Sequence, residues 1–198
     1  MKKIKLLSIT LLSISMVGCG SISDGEVAPE DLGVAYYVDG AVEGIEYDCG
    51  DAPKGTTDSD GKFIFEKGES CDFYIGGKFL RQVSSSALTD GITLVERNDD
   101  NIQFLQTIDN DGDASNGIKV LSGVADYFDT QDVIEGLLPS FFTDLFTVNK
   151  ATMVTLSTAL ELVSGYNGHS VDLDEAKIHV EDTLSQLQAD NIEYRELF

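Results

Sequence analysis

The sequence predicts an α+β fold: a small antiparallel β-sandwich followed by a helical C-terminal half packed on it. Two patterns carry that prediction. Over residues 33–97, short runs rich in β-branched and aromatic residues alternate in polarity and are broken by glycine-bearing turns. From about residue 98 the apolar residues recur at spacings of three and four, the period of a helix with one buried face. With 42% hydrophobic residues the chain has enough apolar material for a core, which excludes global disorder.

At the N-terminus, Lys2, Lys3 and Lys5 precede an uncharged apolar run over residues 6–17, "LLSITLLSISMV". A membrane-spanning helix takes about 20 apolar residues, so this run is too short and reads as a signal peptide over residues 1–18. Met16-Val17-Gly18-Cys19 resembles a bacterial lipobox, although Met16 stands where Leu or Val is usual. The resemblance implies acylation of Cys19, palmitate included, and a lipoprotein whose mature chain begins there. The other reading is an ordinary signal peptide with an incidental cysteine. Buried acyl chains contribute about 0.8 kcal/mol per CH₂, so a three-chain anchor is effectively permanent. Gly20 occupies the place where an inner-membrane retention signal has Asp, which points to the outer membrane, on its periplasmic or its external face. Residues 19–32, with the small and acidic "GSISDGEVAPED", read as a lipidated tether.

The chain carries 35 acidic and 13 basic residues, a net charge of −22, and the leader takes three of the lysines with it. Such acidity repels nucleic acid and anionic lipid headgroups. It suits solubility, divalent cation binding or a saline habitat.

In the predicted β part, "VAYYV" and "GIEYDC" are strands, and "TTDSDGKFIFEKGESCDFYIGGKFL" holds three short apolar runs separated by Asp-Gly, Lys-Gly-Glu and Gly-Gly. Tight turns between strands of about five residues imply antiparallel pairing. Ile45, Tyr47 and Cys49 share one strand face, and Cys71, Phe73 and Ile75 another. An even cysteine pair in an exported chain reads as a disulfide between Cys49 and Cys71. The competing reading, two free thiols, lacks the CxxC spacing of an oxidoreductase.

The helical part, residues 98–198, opens with "NIQFLQTID", which puts Ile102, Leu105 and Ile108 on one stripe. "TQDVIEGLLPSFFTDLF" reads as two short helices, the second started by Pro139. "NKATMVTLSTALELVSGYNG" aligns Met153, Leu156, Leu160 and Val163, with Gly165 or Gly168 as the stop. The last helix places Asp172 and Glu175 in capping-box register and buries Leu173, Ala176, Val180, Leu184 and Leu187.

The stretches "VDGAVEGIEYDC…GTTDSDGKFIFEKGESCDFYIGG", "IQFLQTIDNDGDASNGIKV" and "LDEAKIHVEDTLSQL", in this order, resemble a module of Gram-negative envelope lipoproteins found in the N-terminal regions of accessory colonization factor and mucin-degrading surface lipoproteins. The resemblance covers residues 33–190. It implies a sheet part similar to carboxypeptidase-regulatory sandwiches, which act as spacers and binding modules, and it supplies no reaction, because the peptidase chemistry of the large relatives lies in a separate domain.

Candidate chemistry is sparse. In "DNDGDASNG", Asp109, Asp111 and Asp113 alternate as oxygen ligands suited to Ca²⁺. The EF-hand register fails at Ala114 and Val120, and a polar turn explains the same residues. Asp58 and Asp60 are accounted for by a turn. His169 and His179 lack HExxH or HxE…PCxxC partners. His179 borders an apolar face, as a structural histidine does. No GxSxG or GxxxxGK[ST] occurs, and Ser170 beside His169 has no placed acid. Tyr36, Tyr37, Tyr47, Tyr74 and Tyr127 are candidate sugar-stacking groups, with core packing the alternative; no Trp is present. The expected function is a non-catalytic envelope lipoprotein that binds a protein partner or a surface glycan, in adhesion or colonization. The alternative is an envelope hydrolase without a recognisable motif.

Overall fold

Strand β1, Leu32–Val38, starts the fold because its sequence alternates: Ala35 and Tyr37 are fully buried while Val34 and Tyr36 are only partly so. The computed structural model describes residues 27–130 and 150–198. The predicted leader, Cys19 and most of the tether lie outside the described residues, as does all but the start of the segment read as two helices around Pro139. The architecture is mixed α/β, with four α-helices and two four-stranded sheets among the described residues.

The first sheet has the order β10-β8-β1-β5, using β5 (Lys62–Glu66), β8 (Thr93–Glu96) and β10 (Tyr194–Leu197). The second has the order β4-β3-β6-β7, from β3 (Glu46–Asp48), β4 (Gly55–Thr56), β6 (Cys71–Ile75) and β7 (Lys78–Val83). A small parallel pair joins β2 (Val42–Glu43) to β9 (Ile118–Lys119). The sheets share one apolar layer. Tyr37 and Phe63 of the first meet Phe73 of the second at ring-centroid distances of 4.9 and 5.0 Å. Fully burying each such side chain contributes about 1.5–3 kcal/mol.

The second sheet is antiparallel throughout, as expected, but the first is not. β8 runs parallel to both β1 and β10. All four β8 residues are buried, since one face of that sheet meets the other sheet while Val38 and Val95 cluster with helix residues on the opposite side. Strands covered on both faces are the kind that long crossover connections join in parallel. The turns also act differently from expectation. Asp60-Gly61 and Lys67-Gly68-Glu69 each carry the chain from one sheet to the other, and of these three turns only Gly76-Gly77 closes a hairpin within a sheet. Gly76 has φ +54, and a Cβ there would lie 2.0 Å from the carbonyl oxygen of Ala125, so the helix that carries Ala125 docks directly on this turn.

The helices are α1 (Asp99–Thr107), α2 (Ser122–Thr130), α3 (Lys150–Leu160) and α4 (Leu173–Ala189). Asn98 caps α1 by accepting from the amides of Asp100 and Asn101, both at 3.1 Å. Instead of a single buried stripe, every residue from Asn101 to Asp109 is buried. Phe104 and Leu105 join the core between the sheets, α2 and α3, while Ile102 joins a second cluster with Val171, Ala176, Val180 and Leu184. The amides satisfy this enclosure: Gln103 donates to the carbonyl of Val171 at 2.8 Å. Helix α4 buries Ala176, Val180 and Leu184 of the predicted face, with Leu173 and Leu187 partly buried at its ends. Asp172 is its N-cap residue, although the Asp172 side chain makes no capping bond to the first turn. Helix α3 ends at Leu160, ahead of the glycines read as its stop.

A buried carboxylate ties these parts together. Glu96 is fully buried at the end of β8. Its Oε1 accepts from Arg81 of β7 at 2.6 Å and from the amides of Arg97 and Asn98 at 3.0 and 2.9 Å. Its Oε2 accepts from Asn101 at 3.1 Å and from the hydroxyl of Tyr37. Burial, followed by the neighbouring Glu96 charge, pushes the Tyr37 phenol well above its ordinary pKa, so it stays a donor. Arg81 reaches on to the carbonyls of Leu197 and Phe198 at 3.4 and 3.5 Å. One charged knot thus links both sheets, the start of α1 and strand β10.

Candidate functional site

Strand β1 runs out at Val38, and the next residue, Asp39, is fully buried. A buried carboxylate must be paired. Gln106 of α1 donates through Nε2 to both Asp39 oxygens, at 3.2 and 3.0 Å, and His179 of α4 approaches through Nδ1 at 3.1 Å. The imidazole also lies near the carbonyl of Ala114, in the 3₁₀ turn Ala114–Asn116, which favours its charged form. The Asp39–His179 pair therefore joins three pieces: the β1–β2 corner, the turn before β9, and helix α4. Gly40 completes the join. Its amide donates to the Thr183 hydroxyl at 3.2 Å, and with φ +69 a Cβ there would lie 2.9 Å from the Ala114 oxygen.

Where these pieces meet, they leave an open cleft of about 400 Å³. Val38, Ala41 and Leu187 give it apolar walls, while Asp182, Thr183 and Asn116 bring polar groups to its rim. His179 lines it as well. Pockets of this size suit small ligands or a protruding side chain.

Protonation follows from the surroundings. Burial works against the imidazolium, yet the hydrogen bond and charge of Asp39 and the Ala114 carbonyl outweigh it, so His179 is held above its ordinary pKa, with the Asp182 charge adding to the rise. Burial pushes Asp39 up, while His179 and Gln106 hold it down in part. Because the folded pKa of His179 lies above its unfolded value near 6.5, the pair's stabilisation is fully present below that pH and is lost as pH rises through the higher folded value. Urea unfolding at pH 5.5 and at pH 8.5 should show this decline, and His179→Gln should flatten it. An equal decline in both proteins would place the titrating group elsewhere.

The carboxylates expected to gather round Ca²⁺ are turned to their own loop. Asp109 is buried and accepts from the amides of Gly112, Asp113 and Lys119 at 2.9, 3.1 and 2.8 Å. Asp111 accepts from the Asp113 amide at 3.0 Å and from Asn116 at 3.2 Å. Asp113 accepts from the amide and hydroxyl of Ser115 at 3.2 and 2.5 Å. Burial raises Asp109, whereas the Asp113 amide and Asn116 lower Asp111. Among the described residues no group of three or more His, Cys, Asp or Glu is placed to hold a metal ion. Asp58 likewise accepts from the amides of Asp60 and Lys62, both at 3.0 Å.

Cys49 and Cys71 are joined in a disulfide, both buried, with Cα atoms 4.1 Å apart across the β3–β6 pair. Tyr37 and Tyr47 are buried, whereas Tyr36, Tyr74 and Tyr127 are half-buried. Tyr74 meets the exposed Phe79 edge-on at 5.9 Å. His169 is exposed beside Gly112, apart from the cleft lining.

Sequence reasoning placed His179 as structural but missed Asp39 and Gln106. One signal was present: "NIQFLQTI" over residues 101–108 contains no charged side chain, and a helix without charge on any face is one enclosed on every face. No helix among the described residues is long and apolar enough to cross a membrane. Comparison with known protein families, curated proteins and solved structures returned no match.

Proposed function

We propose that the chain is a lipid-anchored binding module of a bacterial envelope. Acylation of Cys19 fixes it to the outer membrane, and the cleft between the β1–β2 corner and α4 takes its ligand, a protein partner or a surface glycan. The observation that carries this reading is the state of the cleft floor. Asp39 is bonded by Gln106 and His179, so the floor is braced and the Nδ1 of its histidine is committed to its neighbours. A floor braced in this way gives the cleft a preformed shape for a ligand. The resemblance of the motif order to colonization and mucin-degrading lipoproteins motivates the same reading, with the two sheets serving as a sandwich-type spacer. Anchoring would act by raising the effective concentration of whatever the cleft binds.

A buried Asp–His pair beside Ser115 in the same cleft is the observation that favours the hydrolase alternative, although the Ser115 hydroxyl is given to Asp113 at 2.5 Å. One set of experiments separates the two. The native chain should fractionate with membranes and carry acyl groups by mass spectrometry, and Cys19→Ser should release it. A partner crosslinked in membranes should be lost when Ser115→Trp fills the cleft. Unchanged capture overturns the binding site, and turnover of peptide or glycoside substrates that disappears in His179→Gln establishes the hydrolase instead.

A further inference from the structure

We infer that the cleft recognises a cation on a short aliphatic stem, a primary amine or guanidinium; this rests on the binding reading above. The chemistry of the lining suits a cation better than the other classes. No Phe, Tyr or Trp among the described residues lines the cleft, so a sugar finds little stacking surface there. An anion finds few donors. His179 is engaged with Asp39, the Ser115 hydroxyl with Asp113, one Asn116 N–H with Asp111 and the Gly40 amide with Thr183. That leaves the exposed Gln186 amide and the Thr183 hydroxyl as the side-chain donors.

What the cleft presents is an acceptor at the rim of an apolar trough. The Asp182 carboxylate is exposed and close enough to His179 to raise its proton affinity, and Val38, Ala41 and Leu187 stand as the walls. An alkyl stem lies against such walls while its charged head reaches the carboxylate, as lysine and arginine side chains do at protein surfaces. A second hollow of about 330 Å³ adjoins the first and shares Ala41, Asn116 and Gly117 with it. It adds the carboxylates of Asp111 and Glu43, and its one lysine, Lys119, is paired with Glu43 at 2.8 Å. A ligand lying across the shared wall therefore meets carboxylates on both sides. The net charge of −22 attracts such a ligand from a distance.

The test is calorimetric titration of the folded chain with 1,5-diaminopentane, with N-acetyl-lysine amide and with uncharged 1,5-pentanediol. Amide shifts in NMR spectra locate each ligand. Both amines should bind at the cleft, weaken with added salt and lose roughly tenfold in affinity in Asp182→Asn. Gln186→Arg, which sets a guanidinium one helical turn from Asp182, should weaken them similarly. Asp182 is exposed, so the melting temperature of Asp182→Asn serves as the check on folding. Tighter binding of the diamine assigns the site to a free diamine, and tighter binding of the blocked lysine assigns it to a partner's side chain. If the diol binds as well as the diamine, or Asp182→Asn binds unchanged, the cation inference fails while the binding cleft stands. If no amine shifts cleft residues and Ser115→Trp also leaves partner capture unchanged, both readings fail together.

Discussion

Replacing Glu96 by Ala should lower the unfolding free energy by about 3–5 kcal/mol, the usual cost of removing one partner from a buried ion pair. Arg81, whose side chain is 13% exposed, would lose the carboxylate that neutralises it. The Tyr37 hydroxyl, the Asn101 amide and two backbone amides at the head of α1 would lose their acceptor in the same step. Domains of this kind are stable by only about 5–15 kcal/mol in total, so the variant should be partly unfolded near 40 °C. Two companion substitutions separate charge from shape. Glu96→Gln keeps the volume and loses the charge, so its cost should approach that of Ala. Tyr37→Phe removes one donor and should cost about 1 kcal/mol. Urea denaturation followed by circular dichroism measures all three, and a loss below about 1 kcal/mol for Glu96→Ala would show that the knot is incidental to stability.

The second large effect belongs to the disulfide. Cys49 and Cys71 are 22 residues apart, and closing a loop of that length stabilises by about 3 kcal/mol in the chain-entropy account. Local structure adds to the case. Strand β3 is only three residues long and holds its place between β4 and β6. The bond clamps the end of that short strand, next to the Asp48–Asp72 register pair. The double variant Cys49→Ala, Cys71→Ala should therefore melt roughly 6–12 °C lower than the oxidised protein, and dithiothreitol should lower the native melting temperature similarly. A shift of less than about 2 °C would mean that strand pairing alone holds this sheet together.

How far the sequence reaches is seen best in single elements. Period-two alternation in "IEYDC" and "CDFYI" correctly gave which side chains face inward, because a pleated strand leaves no other choice. The same local signal said nothing of which strands pair. Asp60-Gly61 and Lys67-Gly68-Glu69 have the composition of hairpin turns, yet both cross between sheets, since turn chemistry fixes a reversal of direction and not the partner reached afterwards. Strand β10 was missed because "YREL" is mostly polar, and what makes it a strand is the edge of β8 and the hold of Arg81. Helix α2, "SGVADYFDT", begins with Ser and Gly, which weakened its periodic signal. The cleft was out of reach for a related reason. Asp39, Gln106 and His179 come from separate elements, and their meeting is a property of tertiary packing that no local window contains.

The parallel neighbours of β8 have a kinetic consequence. Its strand partners come from as far away as Tyr36 on one side and Tyr194 on the other. Such remote closures are entropically expensive before they are rewarded, and chains rich in them fold late and slowly. The sheet built from β3, β4, β6 and β7 can zip up early through near neighbours, leaving "TLVE" with an open edge until the distant segment arrives. During that interval the bare edge is a template for pairing with another copy, so a chaperone or a dilute environment at the moment of maturation should raise the yield of correctly assembled protein.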